Sequence, residues 1–172
     1  WTRNQNGKTK IYATLFNLTP VARQVVSLFS AIANAKEIEL INRIEGKFDI
    51  FADEDMIKTV LRNLISNAIK FTYTGGQVEL SLADSGDYWT IYVKDNGKGI
   101  PKDLQAHLLK SDEYITPYGT HNEKGSGLGL ILCRDFIRMN KGKLHFYSQE
   151  GIGTTFYFTI PKASSSAEAV SR

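Results

Sequence analysis

The chain has 172 residues, 42% of them hydrophobic and 23% charged, with a net charge of +3. That is an ordinary composition for one globular domain with a sizeable core; no basic stripe interleaved with aromatics marks a nucleic-acid surface, and no apolar run reaches the roughly 18 residues of a membrane span. The single cysteine, Cys133, excludes an intrachain disulfide, fits a reducing compartment and reads as a small buried helix residue.

An Asn/Gly/Lys-rich start leads into a strand-like segment, Ile11–Phe16. Thr19 is expected to cap a helix, with Pro20 at the first helical position, where its missing N–H costs nothing. Val21, Val25, Leu28, Phe29 and Ile32 follow at helical spacing. Strands are expected over Glu39–Ile44 and Phe48–Phe51. A second helix is capped within Ala52–Asp55 and runs to about Phe71. Gly75 and Gly76 make a turn. Val78–Ala83 and Tyr88–Lys94 then read as a hairpin around Asp84–Asp87. Pro101 starts a short helix over Lys102–Leu109, and residues 110–124 show no periodicity. Ser126–Asn140 reads as a helix ended near Gly142. Lys143–Gln149 and Thr154–Ile160 close the chain as a second hairpin over Glu150–Gly153. The pattern predicts an α+β layer sandwich, a mixed and mostly antiparallel sheet covered on one face by about three helices.

Three elements carry chemistry. On the second helix, Ile57, Val60, Leu61, Leu64 and Ala68 form an apolar stripe, while Asn63, Asn67 and Lys70 share another face at i, i+4 and i+7. Asparagine is a poor helix former, so two of them one turn apart call for a function. The carbonyl of Asn67 suits the oxygen shell of Mg²⁺, the charge of Lys70 suits a phosphate, and Asn63 could orient a metal-bound water or a phosphate oxygen. Asp95 ends a strand whose other inward residues, Trp89, Ile91 and Val93, are apolar, so its carboxylate needs hydrogen-bond partners. The exocyclic amine of adenine would supply one. Asp95 is equally suited to starting the turn Asp95–Gly99, where Gly97 and Gly99 permit close backbone approach. Finally, Gly125, Gly127 and Gly129 lead into a helix N-terminus, a natural phosphate site. Their G-x-G-x-G spacing is neither a dinucleotide fingerprint nor a P-loop, and the protein-kinase signatures are missing.

The segments Asn63–Phe71, Asp95–Ile100 and Gly125–Leu130 resemble the N, G1 and G2 boxes of sensor histidine kinases, members of the superfamily shared with DNA gyrase, mismatch-repair ATPases and a heat-shock chaperone class. Gly151–Phe156 resembles their G3 element. The resemblance implies a two-layer α/β sandwich of the Bergerat type over residues 11–161, binding ATP and Mg²⁺, with a lid over about 101–124. It implies that residues 1–10 are the end of an upstream dimerisation helix hairpin or linker, that 162–172 are a flexible linker, and that the chain is a piece of a longer protein. Asn67 would be the metal ligand, and Asn63 and Lys70 the catalytic pair. The nucleotide would be held by Asn63, Asn67, Lys70, Phe71, Asp95, Gly97, Gly99, Ile100, Lys124, Gly125, Ser126, Gly127, Leu128, Gly129, Leu130 and Thr155, with Thr154 the second choice for the last position.

The activity so implied is transfer of the γ-phosphoryl group to a histidine on the dimerisation hairpin, followed by relay to a response-regulator receiver domain. The parent would be a cytoplasmic homodimer, anchored or not in the inner membrane, with no nucleic-acid or membrane contact by this segment. Two departures stand out. The lid lacks its usual phenylalanines, leaving Leu108, Leu109 and Tyr114 as substitutes. None of His107, His121 and His145 is followed by the acidic residue that usually follows a phosphoacceptor histidine, so these three read as surface or lid residues. Hydrolytic relatives resemble each other in placing a glutamate where Asn63 stands, and an amide cannot accept water's proton. A catalytically silent nucleotide-binding module is the other reading.

Overall fold

The computed structural model describes residues 4–5, 8–109 and 128–163. Within the first ten residues, β1 (Asn4–Gln5) pairs antiparallel with β2 (Lys8–Thr9) as a small ladder. The next strand, β3 (Thr14–Asn17), is shifted from the expected Ile11–Phe16 and runs directly into helix α1 (Leu18–Ala35). The cap of α1 is Asn17, not Thr19. The Asn17 side-chain oxygen Oδ1 accepts from Thr19 N at 3.2 Å and from Phe48 N at 3.0 Å. Asparagine at the strand end thus serves the helix and a loop together, and Thr19 falls inside the first turn.

After α1 come β4 (Glu39–Asn42), β5 (Asp49–Ala52) and helix α2 (Glu54–Phe71). Asp53 caps α2, taking Met56 N at 3.2 Å, and Glu54 and Asp55 complement the dipole. At the other end, the buried Lys36 puts its ammonium 3.0 Å from the carbonyl oxygens of both Ile69 and Lys70. Next are β6 (Gln77–Asp84), β7 (Tyr88–Asp95), the single turn of α3 (Lys102–Gln105), α4 (Leu128–Met139), β8 (Leu144–Gln149) and β9 (Gly153–Pro161). The expected helix Lys102–Leu109 shortens to α3. Turns follow it to Leu109, which has a positive φ of 68°. Residues 110–127 of the expected lid and glycine turn, with Tyr114 and His121, lie outside the described residues, as does the tail beyond 163.

The main sheet has the order β4-β6-β7-β9-β8. All its pairings are antiparallel except β4 with β6, joined in parallel through β5 and α2. A separate antiparallel pair joins β3 and β5. Strand alternation sends Val78, Leu80, Ile91, Val93, Phe156, Phe158 and Ile160 into one buried layer. There they meet Val21 and Val25 of α1, Ile57, Leu61, Leu64 and Ile65 of α2, and Phe136 and Ile137 of α4. The opposite face carries Tyr92, Tyr157 and His145 stacked across three strands, with ring centroids 5.5 Å and 5.2 Å apart. The α+β sandwich with helices on one face is therefore as the residue pattern predicts. Helix α2 is its centre, touching α1, α4 and the middle strands, and so carries its polar face to the edge of the core.

Candidate functional site

A cavity of about 600 Å³ opens where the C-terminal half of α2, the end of β7, the β8–β9 loop and the start of α4 converge. Asn67 and Phe71 line it from α2, Asp95 closes β7 in its wall, and Gly99 and Ile100 continue the wall. Leu130 enters from α4, and Leu104 and Leu108 come from α3 and the turn after it. That volume lies in the usual range for a small-molecule pocket, and its lining is mostly apolar with a few polar groups.

Asp95, the buried charged residue of the wall, is 6% exposed, as is Thr154 beside it. One of its oxygens, Oδ1, accepts from Gly97 N at 2.9 Å and Thr154 N at 3.3 Å. Among the described residues no donor reaches Oδ2, which leaves that oxygen for a ligand N–H. Burial raises the carboxyl from its ordinary 3.8 to about 6, against the opposing pull of the two amides.

The backbone around Asp95 is packed too closely for side chains. A Cβ on Gly97 would overlap the Phe71 carbonyl, one on Gly99 would overlap that of Gln149, and one on Gly153 would overlap that of Asp95 itself. Gly99 and Gly153 also hold positive φ angles of 69° and 150°. Hydrogen bonds brace the same crossings: Lys98 N to Phe71 O at 3.0 Å and Gly151 N to Lys98 O at 2.7 Å. Ile100 N donates to Ser148 Oγ at 2.9 Å, Ser148 Oγ and Thr154 Oγ1 share a hydrogen at 2.8 Å, and Gln105 Nε2 reaches Ile100 O at 2.7 Å.

The β-strand phase corrects one expectation. Thr154, buried and paired with Asp95, lines the cavity, whereas Thr155 pairs with Lys94 on the far face of the sheet. Asn63 and Lys70 are brought near the cavity but not into its wall. The Asn63 amide donates to Thr59 O at 3.0 Å, and its oxygen faces Gly129 of α4. The Lys70 ammonium lies 5.0 Å from the centroid of the Phe71 ring. Of the glycine turn, Gly129 and Leu130 are in place and Leu128 begins α4, while Lys124, Gly125, Ser126 and Gly127 lie outside the described residues. Leu108, a proposed substitute for the lid phenylalanines, is in the wall. Cys133 is buried against α2, with its thiol 3.9 Å from Val60 O, and burial pushes it up to about 12. His107 and His145 are exposed, as read from sequence. Residues missed were Ser148, Gln105, Tyr73, Lys98 and Glu150. Ser148 was recoverable, because it lies opposite Thr154 once β8 and β9 are paired.

The family described as "Histidine kinase-, DNA gyrase B-, and HSP90-like ATPase" matches residues 52–164. The chain is 30% identical over 161 residues to the adaptive-response sensory kinase SasA of Crocosphaera subtropica, covering 92% of this chain and 42% of that protein. Among solved structures it superposes on the nucleotide-free catalytic domain of histidine kinase ThkA with a TM-score of 0.75 and 30% identity, over 88% of this chain and 98% of that one. Full-length ShkA in complex with AMPPNP gives a TM-score of 0.75 and 28% identity, over 90% and 32% of the two chains. ThkA has also been solved with the response regulator TrrA. This chain spans between 30% and 42% of the length of the first curated relatives it matches. The chain therefore belongs to the histidine kinase-, DNA gyrase B- and HSP90-like ATPase family, as a catalytic domain of the histidine-kinase kind.

Proposed function

We propose that this domain binds Mg-ATP and donates the γ-phosphoryl group to a histidine on a separate dimerisation segment of its parent protein. The observation that carries the reading is Asp95: a buried carboxylate with one oxygen fixed by two amides and the other left for a ligand, at the floor of a nucleotide-sized cavity. Its Oδ2 would accept from the adenine amine, and Thr154 and Ser148 would support the same wall. Asn67, in the cavity wall, offers a neutral side-chain oxygen. One such ligand fits a hard cation that takes its remaining oxygens from phosphates and water. When bound, magnesium neutralises charge on the phosphates. Lys70 and the amides at the start of α4, including Gly129, would hold the phosphate end.

Asn63 argues against hydrolysis as the main activity. Its amide nitrogen is engaged by Thr59 O, and a carboxamide cannot act as the base for water. The attacking imidazole would come from outside this domain. The response-regulator partner of ThkA supports a receiver domain as the next acceptor in the relay, and the parent would act as a homodimer. Among the described residues no helix is long and apolar enough to cross a membrane, and a cytoplasmic site of action follows from the use of ATP.

The test joins this domain to the dimerisation hairpin of its parent and follows γ-phosphate into protein. Acid-labile, base-stable phosphate on the hairpin histidine is the expected product, lost in Asp95→Asn and Asn67→Ala. Absence of labelling in a dimer that binds ATP would refute phosphoryl donation.

A further inference from the structure

Among the described residues, Lys98 is the one basic side chain in the cavity wall. Lys70, the cation first singled out on the α2 face, is not in that wall. Both ammonium groups lie by the Phe71 ring, Lys70 at 5.0 Å and Lys98 at 5.4 Å from its centroid. Lys98 is held from both sides by its main chain, its N–H on Phe71 O and its carbonyl on Gly151 N. Its Cα is thus fixed on the rim while its side chain keeps four rotatable bonds. The wall also carries the carboxyl groups of Asp95 and Glu150, which would oppose entry of a polyanion.

We propose that Lys98 is a second phosphate-contacting cation of the nucleotide site, acting beside Lys70 next to the Phe71 ring. The inference rests on the ATP reading above and adds to it a residue that determines ligand charge preference. An aromatic face holds an ammonium weakly, whereas a phosphate oxygen holds it by a charge-assisted hydrogen bond. A bound nucleotide would therefore offer Lys98 a stronger contact than the aromatic one. Lys98 would select nucleotides over nucleosides, offset the two wall carboxylates, and share the phosphates with Lys70.

The experiment titrates adenosine, ADP and ATP, each with magnesium, into the 172-residue chain and into Lys98→Met, Lys98→Arg and Asp95→Asn, by calorimetry at low and high salt. In Lys98→Met, ADP and ATP should weaken about tenfold while adenosine is unchanged. The salt dependence of ATP binding should become shallower, and Lys98→Arg should restore most of the loss. Equal weakening of adenosine and ATP would mean that Lys98 only props the wall, and the proposal falls. Unchanged binding in Lys98→Met alongside loss of all three ligands in Asp95→Asn also overturns it while leaving the nucleotide site standing. If Asp95→Asn changes nothing, the site assignment itself fails and the proposal goes with it.

Discussion

A Cβ placed on Gly129 would lie 3.0 Å from the side-chain oxygen of Asn63. Helices α2 and α4 therefore touch at a point where one contributes a carboxamide and the other contributes no side chain. Asn63 is held in that position by its own bond to Thr59 O at 3.0 Å. Gly129→Ala adds helix propensity and a clash that offset each other to within about 1 kcal/mol in chemical denaturation. The methyl group shifts the start of α4 off the phosphate end, so ATP affinity should fall several-fold. Adding Asn63→Ala to that variant should relieve the clash, giving non-additive stability changes in a double-mutant cycle.

Asp95 makes both stability and binding depend on pH. Its folded value of about 6 lies above the ordinary 3.8, so the folded protein holds this proton more tightly than the unfolded chain does. The stabilisation that the protonated form confers is complete below pH 4 and is lost as pH rises through 6. Asp95→Asn keeps an acceptor for Gly97 N and Thr154 N without the buried charge. It should stabilise the unliganded domain at pH 7 to 8 by up to about 3 kcal/mol, a gain that fades as pH falls toward 4. The same variant should bind ATP poorly. In the wild type, ATP affinity should decline below about pH 6, as the carboxylate stops accepting. Thermal melts and calorimetry across pH 4.5 to 8 test both.

Gly97→Ala should be far more damaging than Gly129→Ala. The added carbon meets the main-chain carbonyl of Phe71, which is fixed by the hydrogen bond from Lys98 N at 3.0 Å. Neither side can give cheaply, so a cost of about 3 kcal/mol is expected in urea unfolding, together with loss of nucleotide binding.

Lys36→Met tests the end of α2. The substitution removes two hydrogen bonds from a buried ammonium to the last carbonyls of that helix. A loss of about 2 kcal/mol is expected. Because Lys70 and Phe71 form the turn that would fray, ADP affinity should drop a few-fold in the same variant, measured at a temperature where it remains folded.

What could be read from residues alone followed the reach of each signal. Helix α2 was legible because its apolar stripe, its acidic first turn and Asp53 all point the same way. Asp95 was legible because alternation along β7 puts a carboxylate among Ile91 and Val93. The parity of Phe156, Phe158 and Ile160 points to Thr154, a local signal that the choice of Thr155 overlooked. Other features depended on contacts between distant segments. Asn17 caps α1 partly because Phe48 N, 31 residues away, shares its oxygen. The parallel join of β4 to β6 and the place of Lys98 beside Phe71 exist only once the layers are stacked. The glycine turn gave a clear signal in sequence, yet its first half lies outside the described residues.

At the base end of the cavity, three glycines let strands and turns meet carbonyl to main chain. The outline of that end is consequently cast by the polypeptide backbone and is indifferent to the identity of most neighbouring side chains. The side chains of Asn67 and Lys98 line the same cavity, and exchanging either leaves that backbone cast undisturbed. A lineage could therefore revise the side chains of the cavity wall while inheriting the shape of that end intact.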